Sequence, residues 1–267
     1  MNIHNIPTKY KYLLLIFLSY FSSGYVYSEI VDQSYISIII DDLGYKPKED
    51  MLALSLPGPI AYAILPHSPH ALKISTIASK NKKEILLHQP MQALKNNNHL
   101  GPGALTLNMT KQEFSKTLEV NINSLPNIIG INNHMGSLLT RHPGHMKWLM
   151  DIISKHKYIY VDSLTSPYSV AGKIAKQNDV PFTSRDIFLD NKKDMDYINN
   201  KIFELVNIAK KQGTALAICH SHSNTIKALS NFLKNIDEYD VKIIGIKSLI
   251  KKRENNSVSM NSALVFP

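Results

Sequence analysis

The chain has 267 residues, 44% hydrophobic and 19% charged, with a formal net charge of +9. That balance suits one large core and excludes a disordered or low-complexity protein. A single cysteine, Cys219, excludes a disulfide framework, and its place inside the apolar run ALAIC marks a small buried hydrophobe rather than a nucleophile.

The first segment carries Lys9 and Lys11, then the apolar run Tyr12 to Phe21, then a more polar stretch with small residues up to Ser28. This is the order of a secretory signal, so residues 1–28 are expected to be removed and the mature chain to be periplasmic or secreted. The apolar run is shorter than the roughly 20 residues a spanning helix needs, which makes a retained anchor the lesser alternative. Without the two lysines the charge is +7, spread along Lys-rich helical stretches. A solvated basic surface accounts for it, with affinity for an anionic envelope polymer as the sharper reading. No basic-aromatic motif points to nucleic acid.

From residue 29 onward, strand-length apolar runs alternate with helical spacing. Strands are predicted near Ile36–Ile40, Ile60–Ile64, Glu84–Leu87, Ile128–Asn132, Tyr158–Val161, Pro181–Thr183, Thr214–Ile218 and Val241–Ile244. Between them, Met146, Leu149, Met150 and Ile153 recur at helical steps, as do Ile198, Ile202, Leu205, Val206 and Ala209. Thr110 with Glu113 three residues on reads as a capping box that opens a helix after the Gly/Pro excursion of residues 96–108. Such alternation implies parallel strands and crossover helices, and the number of units favours a (β/α) barrel over an open sheet. Residues 29–250 form the expected domain, and 251–267 a polar, weakly apolar tail expected to fray.

Polar residues gather where these strands end. The run SIIIDDLGY stops at two adjacent carboxylates, Asp41 and Asp42, which would repel each other unless a cation stands between them. His88 ends the third strand, Asn133 and His134 the fourth, and Asp162 the fifth; Arg185 and Asp186 follow the sixth, and His220 and His222 end the seventh. In parallel α/β folds these ends share one face, where catalytic groups collect. Any one of them alone is better explained as a cap or a loop hydrogen bond. His67, His70, His99, His142, His145 and His156 are read as surface residues, and Met91 and Met135 as core or pocket wall. Carboxylate with imidazole suits a divalent transition metal, zinc being the commonest, and such a metal generates a nucleophilic water beside a carboxylate base.

The blocks DDLGY, LLHQPM, GPGAL, NNHMGS, VDS, SRDIFLDN and CHSHSNT resemble the divergent polysaccharide deacetylase family, distant relatives of the NodB-type deacetylases of carbohydrate esterase family four. The resemblance implies a distorted (β/α) barrel of about seven strands and a metal-dependent site that removes N-acetyl groups from a polysaccharide or peptidoglycan-like glycan. It implies Asp41 as base, Asp42 and His88 as metal ligands, and His220 or His222 as general acid. The position of the family's second metal histidine falls on Gln92, so His134 is expected as third ligand, with Asn133, Asp162, Arg185 and Asp186 in supporting or substrate-facing places and the two aspartates orienting histidines. The alternative reading is a non-catalytic envelope protein that keeps the fold and a glycan cleft, partnering other envelope proteins. A further one is cleavage of another amide or an ester.

Overall fold

The structure, a computed structural model, describes residues 33–263, with side chains as far as residue 256. The expected signal segment lies outside the described residues. Nine strands alternate with helices: β1 (Ser34–Leu43), β2 (Ala61–Ile64), β3 (Glu84–Met91), β4 (Gly130–Met135), β5 (Ile159–Asp162), β6 (Phe182–Ser184), β7 (Ile187–Phe188), β8 (Thr214–His220) and β9 (Val241–Ile243). Every pairing is parallel, and the order is β6-β5-β4-β3-β2-β1-β8-β7, with β9 added to the start of β1. The curled path therefore holds eight strands rather than about seven. The additional one, β7, is a two-residue strand that the sequence pattern did not separate from the loop after β6.

The curl stays open between β6 and β7. Two consecutive amides span the gap, Arg185 N donating to Asp162 O and Asp186 N to Leu216 O, both at 3.0 Å.

Side-chain alternation sorts each strand into two faces. Outward residues such as Ile36, Ile38, Ile40, Ile131 and Tyr160 join the main core beneath the helices. Ile39, Ala61, Leu86, Val161, Leu216 and Ile218 point inward and form a second, smaller core. The helices cover the outer face with the stripes their spacing predicts. In α1 (Pro47–Leu54), α2 (Ala71–Lys80), α3 (Lys111–Asn123) and α4 (Pro143–Lys155), buried residues recur along one side. The α3 capping box is formed: Thr110 Oγ1 accepts from Glu113 N while Glu113 accepts from Thr110 N. After α5 (Ala171–Gln177), α6 (Met195–Gln212) starts on Asp194, whose side chain accepts from Tyr197 N. It buries Ile198, Ile202, Leu205, Val206 and Ala209, and is followed by α7 (Ser223–Lys234).

The C-terminal stretch corrects an expectation. Residues 251–263 are not a separate tail but continue α8 (Ile246–Ala263). Ile246, Leu249 and Ile250 pack into the inner core, so this helix fills the curl from within. Arg253 then donates to Thr214 Oγ1, Thr183 Oγ1 and Ser184 O, and pairs with Asp186, tying β6 and the following loop to β8.

Candidate active site

The two acids at the end of β1 reach one site through a break in the strand. By alternation Asp41 continues the inward row of Ser37 and Ile39, and Asp42 should face the helices. Instead the register slips between Ile40 and Leu43, and Asp42 takes φ 62°, a left-handed conformation that turns its carboxylate back into the mouth of the curl. Gly44 follows at φ 118°, where an added Cβ would overlap Ser68 Oγ. The turn is tied down by buried Asp50, which accepts from Gly44 N at 2.9 Å and from Ser221 Oγ at 2.9 Å. This fully buried carboxylate links the loop after β1 to the loop after β8. Nothing in the local sequence marked it beyond an acid in a first helical turn.

Asp42 Oδ1 lies 3.1 Å from His88 Nε2 and 3.0 Å from His134 Nδ1, and those two nitrogens are 3.3 Å apart. Both nitrogens are near enough to pair with Asp42 Oδ1, which is buried between them. The other nitrogen of each ring is engaged: His88 Nδ1 donates to Asn132 Oδ1 at 2.9 Å and His134 Nε2 to the His99 carbonyl at 3.3 Å. These bonds leave His88 Nε2 and His134 Nδ1 as the ring atoms that face Asp42. Ligands about 2.0–2.1 Å from a tetrahedral cation stand about 3.3–3.4 Å apart, so the triangle fits a divalent metal. Without a cation the charges balance internally. Burial opposes ionisation of Asp42, but His134 and His88 hold it well below the usual carboxylate range. Burial also opposes protonation of His88, and Asp41 and Asp42 push its pKa up to about 9.

Asn132 is the hinge of the arrangement. In register with His88 across the β3–β4 pairing, it accepts from that ring and donates through Nδ2 to Asp41 Oδ1 at 2.8 Å. Asp41 Oδ2 then faces the centre, 3.7 Å from His88 Nε2. Burial pushes the Asp41 pKa up, against the pull of His88, which makes it a stronger base than an exposed aspartate.

His220, in register with Asp41 across β1 and β8, approaches from the opposite side, its Nε2 3.4 Å from Asp42 Oδ2. Asp190 holds it: Oδ2 accepts from His220 N at 2.8 Å and Oδ1 faces Nδ1 at 3.2 Å. Burial lowers the His220 pKa, but Asp190, then Asp42 and Asp41, raise it above the ordinary value.

The expected set is therefore only partly assembled at the centre. Asp41, Asp42, His88, His134 and His220 converge there and line a cleft of about 430 Å³ with Arg185 and Phe188. Arg185 donates from Nε to Ser163 O and from Nη2 to Leu164 O, and stacks on the Phe188 ring. Asn133 touches the same cleft but turns its side chain to the loop beyond β5, accepting from Ser163 N and Tyr160 Oη.

Asp162 and Asp186 do not orient histidines. Asp162 faces outward on β5, where it accepts from Leu164 N and Ser169 Oγ, and Asp186 accepts from Leu216 N and pairs with Arg253. The orienting carboxylate is Asp190, four residues further on, placed by the short strand β7. His222 stands at the start of α7 with its ring centroid 5.4 Å from that of His220, and joins Asp190 and His220 in a second, looser group whose ligand atoms lie within 4.8 Å. Gln92 supports the loop instead, accepting from Leu107 N at 2.8 Å. Of the histidines read as surface residues, His99 reaches the site by its backbone alone.

A parallel curled sheet with acid and imidazole groups at its C-terminal mouth defines a carbohydrate esterase family four, NodB-like architecture. Residues 38–250 match the model of the divergent polysaccharide deacetylase family, and the chain belongs to that family. An uncharacterized protein of Haemophilus influenzae is 35% identical over 232 residues, 86% of this chain and 81% of its own. The uncharacterized protein ATU2773 of Agrobacterium tumefaciens superposes with a TM-score of 0.78 at 21% identity, covering 81% of this chain and 89% of its own. Peptidoglycan deacetylase PdaC of Bacillus subtilis shares the fold at a TM-score of 0.52 and 11% identity, over 87% of this chain and 98% of its own.

Proposed function

We propose that the protein is an exported, metal-dependent hydrolase that removes N-acetyl groups from an envelope or extracellular glycan. One observation carries the reading: three ligand atoms, Asp42 Oδ1, His88 Nε2 and His134 Nδ1, converge to within 3.0–3.3 Å of one another with the second nitrogen of each imidazole already bonded. Family membership supports a glycan substrate, and the N-terminal pattern of Lys9, Lys11 and the apolar run supports export.

Asp42, His88 and His134 would hold the cation, for which zinc is the first choice. When bound, such a cation polarises an acyl oxygen and acidifies water. The rest falls to the chain. Asp41 Oδ2, with Oδ1 fixed by Asn132, takes the proton of the attacking water. His220, held by Asp190 and facing Asp42 from the far side, gives a proton from Nε2 to the departing amine nitrogen as the carbon–nitrogen bond breaks. Water and amide thus become carboxylic acid and free amine.

The test is elemental analysis of the protein with its His88→Ala, Asp42→Ala and Asp41→Asn variants, beside acetate release from an N-acetylated glycan. Near-stoichiometric divalent metal is expected in wild type and Asp41→Asn, loss of metal in the other two, and acetate release from wild type alone. A wild type that stays metal-free after incubation with divalent ions would sink the mechanism.

A further inference from the structure

Among the described residues, ten non-glycine residues take positive φ, and eight of them are Asp, Asn, His or Lys. Asp and Asn, and to a lesser degree His, tolerate this region better than a branched hydrocarbon does. The remaining two are Met135 at φ 56° and Leu164 at φ 49°, and both line the candidate cleft. Leu164 is the more telling. It is 38% exposed, so burial does not repay its conformation.

Its backbone is clamped from both sides. Asp162 Oδ1 accepts from Leu164 N at 2.8 Å, and Arg185 Nη2 donates to Leu164 O at 3.1 Å. The preceding residue is fixed too, by Arg185 Nε on Ser163 O and by Ser163 N on Asn133 Oδ1. Glycine would take this turn without strain, and asparagine with little. Instead the chain holds an exposed leucine there, in the cleft that Phe188 and the Asp42–His88–His134 triangle also line.

Resting on the glycan reading above, we infer that Leu164 is a specificity-determining contact, held in a strained turn so that its side chain packs against the apolar face of a sugar ring whose substituent lies at the triangle. Its partial exposure fits a ring lying across the open cleft rather than a small acyl methyl group enclosed within it. Asp162 and Arg185, which hold the Leu164 backbone from its two sides, are then positioning residues for this contact.

The test compares full-length wild type with Leu164→Gly and Leu164→Asn by thermal unfolding, metal content and calorimetric binding of a β-1,4-linked N-acetylglucosamine tetramer. Both variants are expected to unfold at or above the wild-type temperature and to keep their metal, while binding the tetramer about tenfold more weakly. A fall in unfolding temperature would make Leu164 structural and overturn the inference. So would unchanged tetramer affinity, or a wild type that does not bind the tetramer. A wild type that binds but releases no acetate defeats the hydrolase reading alone, and Leu164 is then judged on binding.

Discussion

Replacing Asn132 with leucine tests the core of the proposed site without touching a ligand. Leucine is close to asparagine in volume and cannot exchange hydrogen bonds. His88 Nδ1 would lose its acceptor and Asp41 Oδ1 its donor, both in surroundings at most 3% exposed. A buried polar group left unpaired costs about 1–3 kcal/mol, so the pair should cost roughly 2–6 kcal/mol, out of a total of about 5–15 kcal/mol for a typical domain. Free to change tautomer and tilt, the His88 ring should bind metal about 10–100-fold more weakly. Asp41, deprived of the donor that favours its charged form, should have its pKa raised further, which moves the acid limb of the rate profile to higher pH. The assay is metal titration against a chromophoric chelator, with Asn133→Leu as control. That neighbour bonds to Ser163, Tyr160 and Met135, so its loss should lower stability while leaving metal affinity nearly unchanged. Equal losses of affinity in the two variants would refute the assignment of Asn132.

Three other outcomes follow from the geometry. Asp190→Asn removes the charge that keeps His220 protonated, so the basic limb of the rate profile should move to lower pH and the rate fall by roughly 10–100-fold, read from initial rates across pH. Metal must displace the proton that Asp41 and Asp42 hold on His88, so apparent affinity should rise about tenfold per pH unit and level off near pH 9, measurable by calorimetry at several pH values. Arg253→Ala should cost about 1–3 kcal/mol in denaturant unfolding, with little of that from its part-exposed pair with Asp186, and should leave metal affinity unchanged, because the clamp lies below the mouth.

Much of this was legible because burial writes itself into strand composition. All eight predicted strands are present; most are short apolar runs that the curled sheet covers on both faces, while β6 and β9 are only partly buried. That Asp42, His88 and His134 would come together was legible because all three stand at strand ends; their reading as metal ligands came from the family resemblance. Two of the errors share a physical source, the two-residue period of a strand. Asn133 and Asp162 stand where the alternation turns them outward, whereas Asn132, one position earlier, faces in beside His88. Counting parity back from the inward-facing apolar residues would have chosen Asn132. Asp190 was hidden by a strand only two residues long, and Asp50 by its resemblance to an ordinary first-turn acid. The filling role of α8 was illegible because Ile246, Leu249 and Ile250 give it a short apolar edge, while the turns beyond are polar.

Parity also explains why the paired acids are needed as neighbours. Inward positions at the mouth, Asp41, His88, Asn132, His134 and His220, come from regular strands and are spaced by the sheet. Regular strands cannot supply two inward carboxylates in succession, because the second must point to the helices. The left-handed turn at Asp42 is the single departure in β1, and it brings one oxygen to both imidazoles while Asp41 keeps its place beside Asn132. The proposed ligand and the proposed base are thereby set on adjacent residues with separate hydrogen-bond environments. Restoring alternation, by any change that returns residue 42 to the extended region, should remove the cation site and leave Asp41 still bonded to Asn132.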